Sequence, residues 1–531
     1  MISIIAEFAM HCSISSTSAL PSVAVVALVF QPDSSRAGRA RPAWFVASIA
    51  PLVLNLFLNL FLSMLLGAAL AGCGGGGGGN SASSTSSASG STSNSSSGPA
   101  AANSASGAAN NTAPTVTPST GLSLMAAVGE QIFQDIQLSP SHALSCATCH
   151  SQANGFAQGP QLLVPLGGPF ISLPGFRNTP SIMYARYTPP FSLTGIAQGP
   201  GQPTIASGLP AGGLFLDGRV DTLQQQAGKP LLSPFEMANT SSAQVLQELQ
   251  TRPYLAQFQA VFGAATLASA DATLTAVTQA VAAYETESSL FHPFQSKYDA
   301  FLNGQAQLSA SEADGLAVFN DPSKGNCASC HTSASFGGVP ALFTDHSYRA
   351  IGSPRNWNIV FNQDAVLGAG PNPYPYVPLN GSTLGAPNHV YYDLGVCGPL
   401  RTDLTADTNY CGLFKVPTLR NVALKPRYFH NGVFNTLCDA INFHLTRDAL
   451  PAHWYRQPDG VTPDQPYNDL PLAYAGNVTR QAPFSNGTPA LSNSELNDVI
   501  AFLTALTDGY NPINPAASPA TRPAPCANVT Q

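Results

Sequence analysis

Charged side chains are scarce in this chain: Asp, Glu, Lys and Arg together make up 9% of the residues, against roughly a quarter in an average soluble protein. The 21 Lys and Arg set against 28 Asp and Glu leave a formal net charge of −7, and they form no basic stripe. A mildly acidic chain without such a stripe has no counterion-release footprint, which argues against nucleic acid as a partner and gives no attraction for acidic ones. Charge is rarest after Cys73, where Gly74 to Gly79 lead into a Ser/Ala/Asn-rich stretch with no apolar period, ending at about Thr120. Such a segment cannot bury a core, so residues 73–120 are read as a disordered, flexible linker. In a chain of 531 residues, the part beyond the linker is long enough for about two domains of ordinary size.

Ahead of the linker, Arg36, Arg39 and Arg41 precede a long apolar run from about Ala43 to Ala71, the order of charge then hydrophobicity seen in export signals. The run ends in Leu70-Ala71-Gly72-Cys73, which resembles a bacterial lipobox. Residues 1–72 are therefore read as an export signal and Cys73 as a lipidated N-terminus. This puts the folded part in the cell envelope, lipid-anchored and facing the periplasm, with the outer membrane as the expected seat. A run of this length could also span a bilayer as a plain anchor. Residues 1–35 precede a self-sufficient signal and are consistent with a misassigned start.

The ten cysteines fall into distinct groups. Cys397, Cys411, Cys438 and Cys526 have no metal-like spacing and, in an exported chain, are even in number and able to form two disulfides whose connectivity the sequence does not reveal. Two tight pairs are different. Cys146-Ala-Thr-Cys149-His150 and Cys327-Ala-Ser-Cys330-His331 both match C-x-x-C-H, the attachment sequence of c-type haem. On one helical turn the two thiols can add to the haem vinyl groups while the imidazole takes an axial position on iron, so two covalent haem c groups are expected. A zinc site or a redox dithiol would need further ligands or a thioredoxin-like context, and neither accompanies these pairs.

A second repeat precedes the haem motifs: Gly129-x-x-x-Phe133-x-Asp135 before the first and Gly315-x-x-x-Phe319-x-Asp321 before the second. Leu124, Val128 and Ile132 mark one apolar helical face, and Ser309 with Glu312 forms a capping-box signature. Further helices are legible at Leu274, Val277, Val281 and Tyr284, and at Leu496, Val499, Leu503 and Leu506 after a Ser492/Glu495 capping box. The fold is read as mainly α, two cytochrome c-like haem domains with long loops behind the disordered linker: residues 121–300 for the first, 301–512 for the second, and a tail at 513–531.

From about Gly121 to Pro512 the chain resembles the dihaem cytochrome c peroxidase superfamily, which includes MauG. The likeness rests on Val128-Gly-Glu-Gln-Ile-Phe133, Arg177-Asn-Thr-Pro-Ser181, Phe215-Leu-Asp-Gly-Arg219, Pro230-Leu-Leu-Ser-Pro-Phe-Glu-Met237, Phe414-Lys-Val-Pro-Thr-Leu-Arg-Asn421 and Tyr428-Phe-His-Asn-Gly432, in that order. The resemblance implies a peroxide site at the first haem, fed with electrons by the second. It puts Glu236 on the distal glutamate that moves a proton between the peroxide oxygens; the alternative is a helix-start glutamate after Ser233-Pro234. His430 resembles a residue between the haems that hydrogen-bonds a propionate.

Departures from the family pattern carry their own expectations. No histidine stands between His150 and His292, so the first haem is expected to be five-coordinate and open at rest, as in MauG-like members. The family's inter-haem tryptophan falls at Leu216. The family's calcium site would draw on Asn178 and backbone oxygens near Lys425 and Arg427, where two cationic side chains oppose a hard dication. His444 stands where family peroxidases have a methionine ligand to the second haem and MauG a tyrosine, so His331 and His444 are expected to bind that haem from opposite faces. His142, His292, His346, His389 and His453 are read as surface or packing residues.

The implied function is an oxidoreductase that reduces hydrogen peroxide with electrons from a small periplasmic cytochrome c or copper protein, with a homodimer left open. The rival readings are MauG-like oxidation of a protein or organic substrate, and a pure electron-transfer cytochrome with six-coordinate iron at both sites.

Overall fold

The computed structural model describes residues 121–195, 209–362, 391–484, 490–518 and 525–529. The export signal, Cys73, the linker and His389 lie outside the described residues. The architecture is mainly helical, with two small two-stranded antiparallel sheets that pair Leu166–Gly167 with Leu173–Pro174 and Tyr348–Arg349 with Phe414–Lys415. Among the described residues no helix is long and apolar enough to cross a membrane.

The repeated Gly, Phe and Asp have a common physical cause. Helix Leu124–Gln134 crosses helix Ala270–Glu287 so closely that a Cβ on Gly129 would stand 1.9 Å from the Ala280 carbonyl oxygen. Helix Ala310–Asn320 crosses helix Asn493–Thr504 in the same way, with Gly315 facing the Asp498 carbonyl at 1.9 Å. Only glycine permits that approach. One turn on, Phe133 packs edge-on against Tyr284 at 5.6 Å and Phe319 against Phe502 at 5.3 Å, so each crossing is sealed by an aromatic pair. The aspartates then end the helices: Asp135 accepts from the Gln137 amide at 2.9 Å and Asp321 from the Ser323 amide at 2.8 Å.

The capping boxes expected at Ser309/Glu312 and Ser492/Glu495 are both formed. Val128, Ile132, Val277, Val281 and Tyr284 are buried in the first core, and Leu496, Val499, Leu503 and Leu506 in the second. Leu124 is a correction. It is 75% exposed, because it opens its helix in the turn where the Ser123 amide meets Glu287, past the end of the apolar seam.

The two halves are joined at Asp508, whose Oδ2 accepts from Tyr184 Oη and from Asn421 Nδ2, each at 2.6 Å. Tyr184 and Asn421 hold matching left-handed backbone conformations, φ 61° and 60°, each starting a short 3-10 turn. Buried ion pairs add to the joint, notably Arg420 with Asp299 at 2.8 Å and Arg177 with Asp393 at 2.5 Å, while Arg177 also meets Asp217 within the first half at 2.8 Å. The four scattered cysteines pair as Cys397–Cys411 and Cys438–Cys526, the second tying residues 525–529 to helix Leu437–Thr446.

Candidate active site

Both C-x-x-C-H motifs open onto a largely apolar cavity of about 790 Å³ that also receives Glu236, His430 and His444. Cys146–Cys149 forms a single helical turn capped by His150, and Cys327–Ser329 a 3-10 turn followed by Cys330 and His331. None of these four cysteines is in a disulfide. Burial pushes the thiols of Cys146, Cys149 and Cys327 up to about 12 and raises Cys330 as well. Raised in this way, the thiols are poor thiolate ligands for a metal ion.

The histidines are oriented alike. His150 Nδ1 donates to the Phe156 carbonyl and His331 Nδ1 to the Phe343 carbonyl, both at 2.9 Å. A carbonyl only accepts, so Nδ1 carries the proton and Nε2 is left with its lone pair for a metal. Burial lowers both basicities, His331 to about 4, so both rings are neutral. His444 repeats the arrangement from helix Leu437–Thr446: its Nδ1 donates to the Ala440 carbonyl at 2.7 Å, and Phe429 and Phe484 flank the ring. Burial lowers His444 to about 4, and His331 is near enough to depress it further. The cavity and these imidazoles fit two haem groups.

Glu236 is not at a helix start. It lies in a turn after helix Leu223–Leu232, and the hairpin of the first small sheet holds it there. The Gly168 amide donates to the Glu236 carbonyl at 2.9 Å, and a Cβ on Gly167 would stand 1.9 Å from the Phe235 carbonyl oxygen. Burial raises the Glu236 carboxyl above the usual range, opposed by a hydrogen bond from Ser233 and by the Arg219 charge. Its charge acts on Cys149 and Cys146, which sets it beside the first haem motif.

His430 lines the cavity stacked on Phe414, with centroids 3.8 Å apart, and its Nε2 stands 3.2 Å from Asp469 Oδ2 without hydrogen-bond alignment. Leu216 lines the cavity, and neither Trp357 nor Trp454 does. The residues expected around calcium fit an ion poorly. Asn178 Nδ2 donates to the Arg427 and Phe429 carbonyls at 3.3 and 3.4 Å, so those oxygens already have a donor. Lys425 is half-buried on the cavity wall, and the loss of water around its ammonium lowers it to about 8.

Two cavity residues escaped the sequence reading. His346 is buried with Nε2 lacking a partner, where a surface or packing role was expected; no spacing pointed to it. Glu285 is buried on helix Ala270–Glu287. Its signal was present, since it extends the apolar spacing of Val277 and Val281 by one more turn.

Residues 123–307 match the family description Di-haem cytochrome c peroxidase. The chain is 33% identical over 398 residues to the methylamine utilization protein MauG of Paracoccus denitrificans, covering 73% of this chain and 90% of that protein. It is 28% identical over 320 residues to the cytochrome c551 peroxidase of Nitrosomonas europaea, covering 60% of this chain and 71% of that one. Among solved structures, the diheme peroxidase BthA from Burkholderia thailandensis is 32% identical, with a TM-score of 0.61 over 79% of this chain and 93% of that one. The chain belongs to the dihaem cytochrome c peroxidase and MauG superfamily. It is an oxidoreductase of a family defined by two haem c groups.

Proposed function

We propose that the chain reduces hydrogen peroxide at a haem held by Cys146, Cys149 and His150, with electrons entering through a haem held by Cys327, Cys330, His331 and His444. The observation that carries this reading is Glu236, a carboxyl braced against the first haem motif inside an apolar cavity. Bound there, haem supplies iron that binds peroxide and accepts electrons. Glu236 takes the proton from one peroxide oxygen and returns it to the other, so that the second oxygen leaves as water. Ser233 and Arg219 favour the ionised carboxylate that this transfer starts from. The donor is a small periplasmic cytochrome or copper protein, and Cys73 anchors the chain by lipid to the envelope.

The likeness to MauG favours a second reading, in which the same open site oxidises a protein or organic substrate. Protein matured in a cytochrome c-competent host decides between them. Its mass should exceed the polypeptide by two haems, and it should consume peroxide steadily with reduced cytochrome c as donor. Two haems without peroxide turnover overturn the peroxidase reading.

A further inference from the structure

Glu285 has no evident place in peroxide chemistry, yet it is built into the first haem site alone. The helix crossings set the correspondence between the halves. Gly129 meets Ala280 and Tyr284 in the first half, while Gly315 meets Asp498 and Phe502 in the second. One residue beyond Tyr284 is Glu285, and one beyond Phe502 is Leu503; both line the cavity. A position that is apolar at the second haem motif is thus a carboxyl at the first. Glu285 is 5% exposed, its Oε2 has no hydrogen-bond partner, and it is the foremost charge acting on the Cys146 thiol.

We infer that Glu285 is a redox-linked proton site of the first haem, binding a proton when that iron is reduced and releasing it when the iron is oxidised. This rests on the reading that Cys146, Cys149 and His150 hold a haem. One electron from the second haem reduces ferric iron to ferrous, and one proton from solvent converts the Glu285 carboxylate to the acid, leaving the net charge of the site unchanged. In a dry cavity that neutralisation makes the electron easier to accept, because an uncompensated charge is poorly screened there.

The surroundings favour this role. The titratable groups nearby are Tyr284 on the same helix, Glu130 on helix Leu124–Gln134, which acts on Tyr284, and Cys146 and Glu236 across the cavity. Once haem is attached, Cys146 is a thioether and does not titrate. Burial alone raises the Glu285 carboxyl to about 8, with no cation among the described residues holding it ionised. The equivalent Leu503 can hold no proton, so the second haem lacks this site; the carboxyl beside Cys330, Asp345, is instead tied to Ser347 Oγ at 2.6 Å and to Arg349 at 3.6 Å.

The test is spectroelectrochemical titration of the dihaem protein between pH 6 and pH 10, following each haem by its own absorption. The wild-type potential of the first haem should fall as pH rises through the window around 8, by up to about 59 mV for each tenfold change in proton concentration, while the second haem changes far less. Glu285→Gln should flatten that dependence and leave the first haem at a higher potential than wild type above pH 9. Glu285→Leu, copying the second half, should do the same. A slope that survives both substitutions overturns the inference, as does a slope lost instead in Glu236→Gln. Absence of a first-haem signal in wild-type protein would instead defeat the haem assignment, so the two failures are distinguishable.

Discussion

His331 and His444 present matching imidazoles to one cavity, each with Nδ1 committed to a backbone carbonyl, Phe343 at 2.9 Å and Ala440 at 2.7 Å. Each Nε2 is thereby left with its lone pair. Replacing His444 by Ala should convert one low-spin haem signal in low-temperature paramagnetic resonance to a high-spin or replacement-ligand form, with both haems still attached. With His444 as the proposed ligand, a nitrogen in place of methionine would set this haem at lower potential, so donors of lower potential should reduce it best. A spectrum identical to wild type would mean that His444 only packs beside the haem.

Gly315→Ala should destabilise the second half. The added Cβ would lie 1.9 Å from the Asp498 carbonyl oxygen, which is backbone and cannot swing away. Forcing the helices apart costs about 1–3 kcal/mol or more, against about 1 kcal/mol gained by removing a glycine from a helix interior. Thermal unfolding should show a lower midpoint. Gly129→Ala should behave alike, with Ala280 as the obstacle.

These crossings also show what the sequence could reveal. The Gly, Phe and Asp repeat, the capping boxes and the C-x-x-C-H motifs depend on neighbours close along the chain, and each is found where its spacing put it. Leu124 failed because period alone does not say where a partner helix ends. Glu236 was misplaced only in the alternative that made it a helix-start residue; Gly167 and Gly168, which brace it, come from a hairpin whose register no local pattern fixes. His346 reached the cavity through long-range folding of a loop. Disulfide connectivity was unreadable for the same reason, because Cys438 meets Cys526 across 88 residues.

That disulfide should matter for stability. Closing so long a loop stabilises a fold by roughly 2–4 kcal/mol in typical cases. Replacing Cys438 and Cys526 together by Ser should lower the denaturant midpoint and free residues 525–529 to proteolysis, while both haems remain attached. An unchanged midpoint and unchanged cleavage would show that the tail is held by Asn442 and Asn497, which also bond it.

Cys73→Ser should release the protein from membranes into the soluble fraction, since a single anchor of lipid would be lost. Membrane retention of the variant would favour the apolar run ahead of it as a spanning anchor.

In the proposed reaction Glu236 is the proton carrier at the first haem. The direct measurement is steady-state peroxide consumption by the dihaem protein with excess reduced donor, wild type against Glu236→Gln, across pH. Turnover should fall by roughly 10²- to 10⁴-fold, the usual contribution of a positioned acid or base. In the wild type it should fall as pH drops and the carboxylate takes up a proton, with the limb displaced above the ordinary glutamate range because burial raises that group. The limb should be missing in the variant. A variant that turns over peroxide at the wild-type rate, with the same acid limb, would contradict that role.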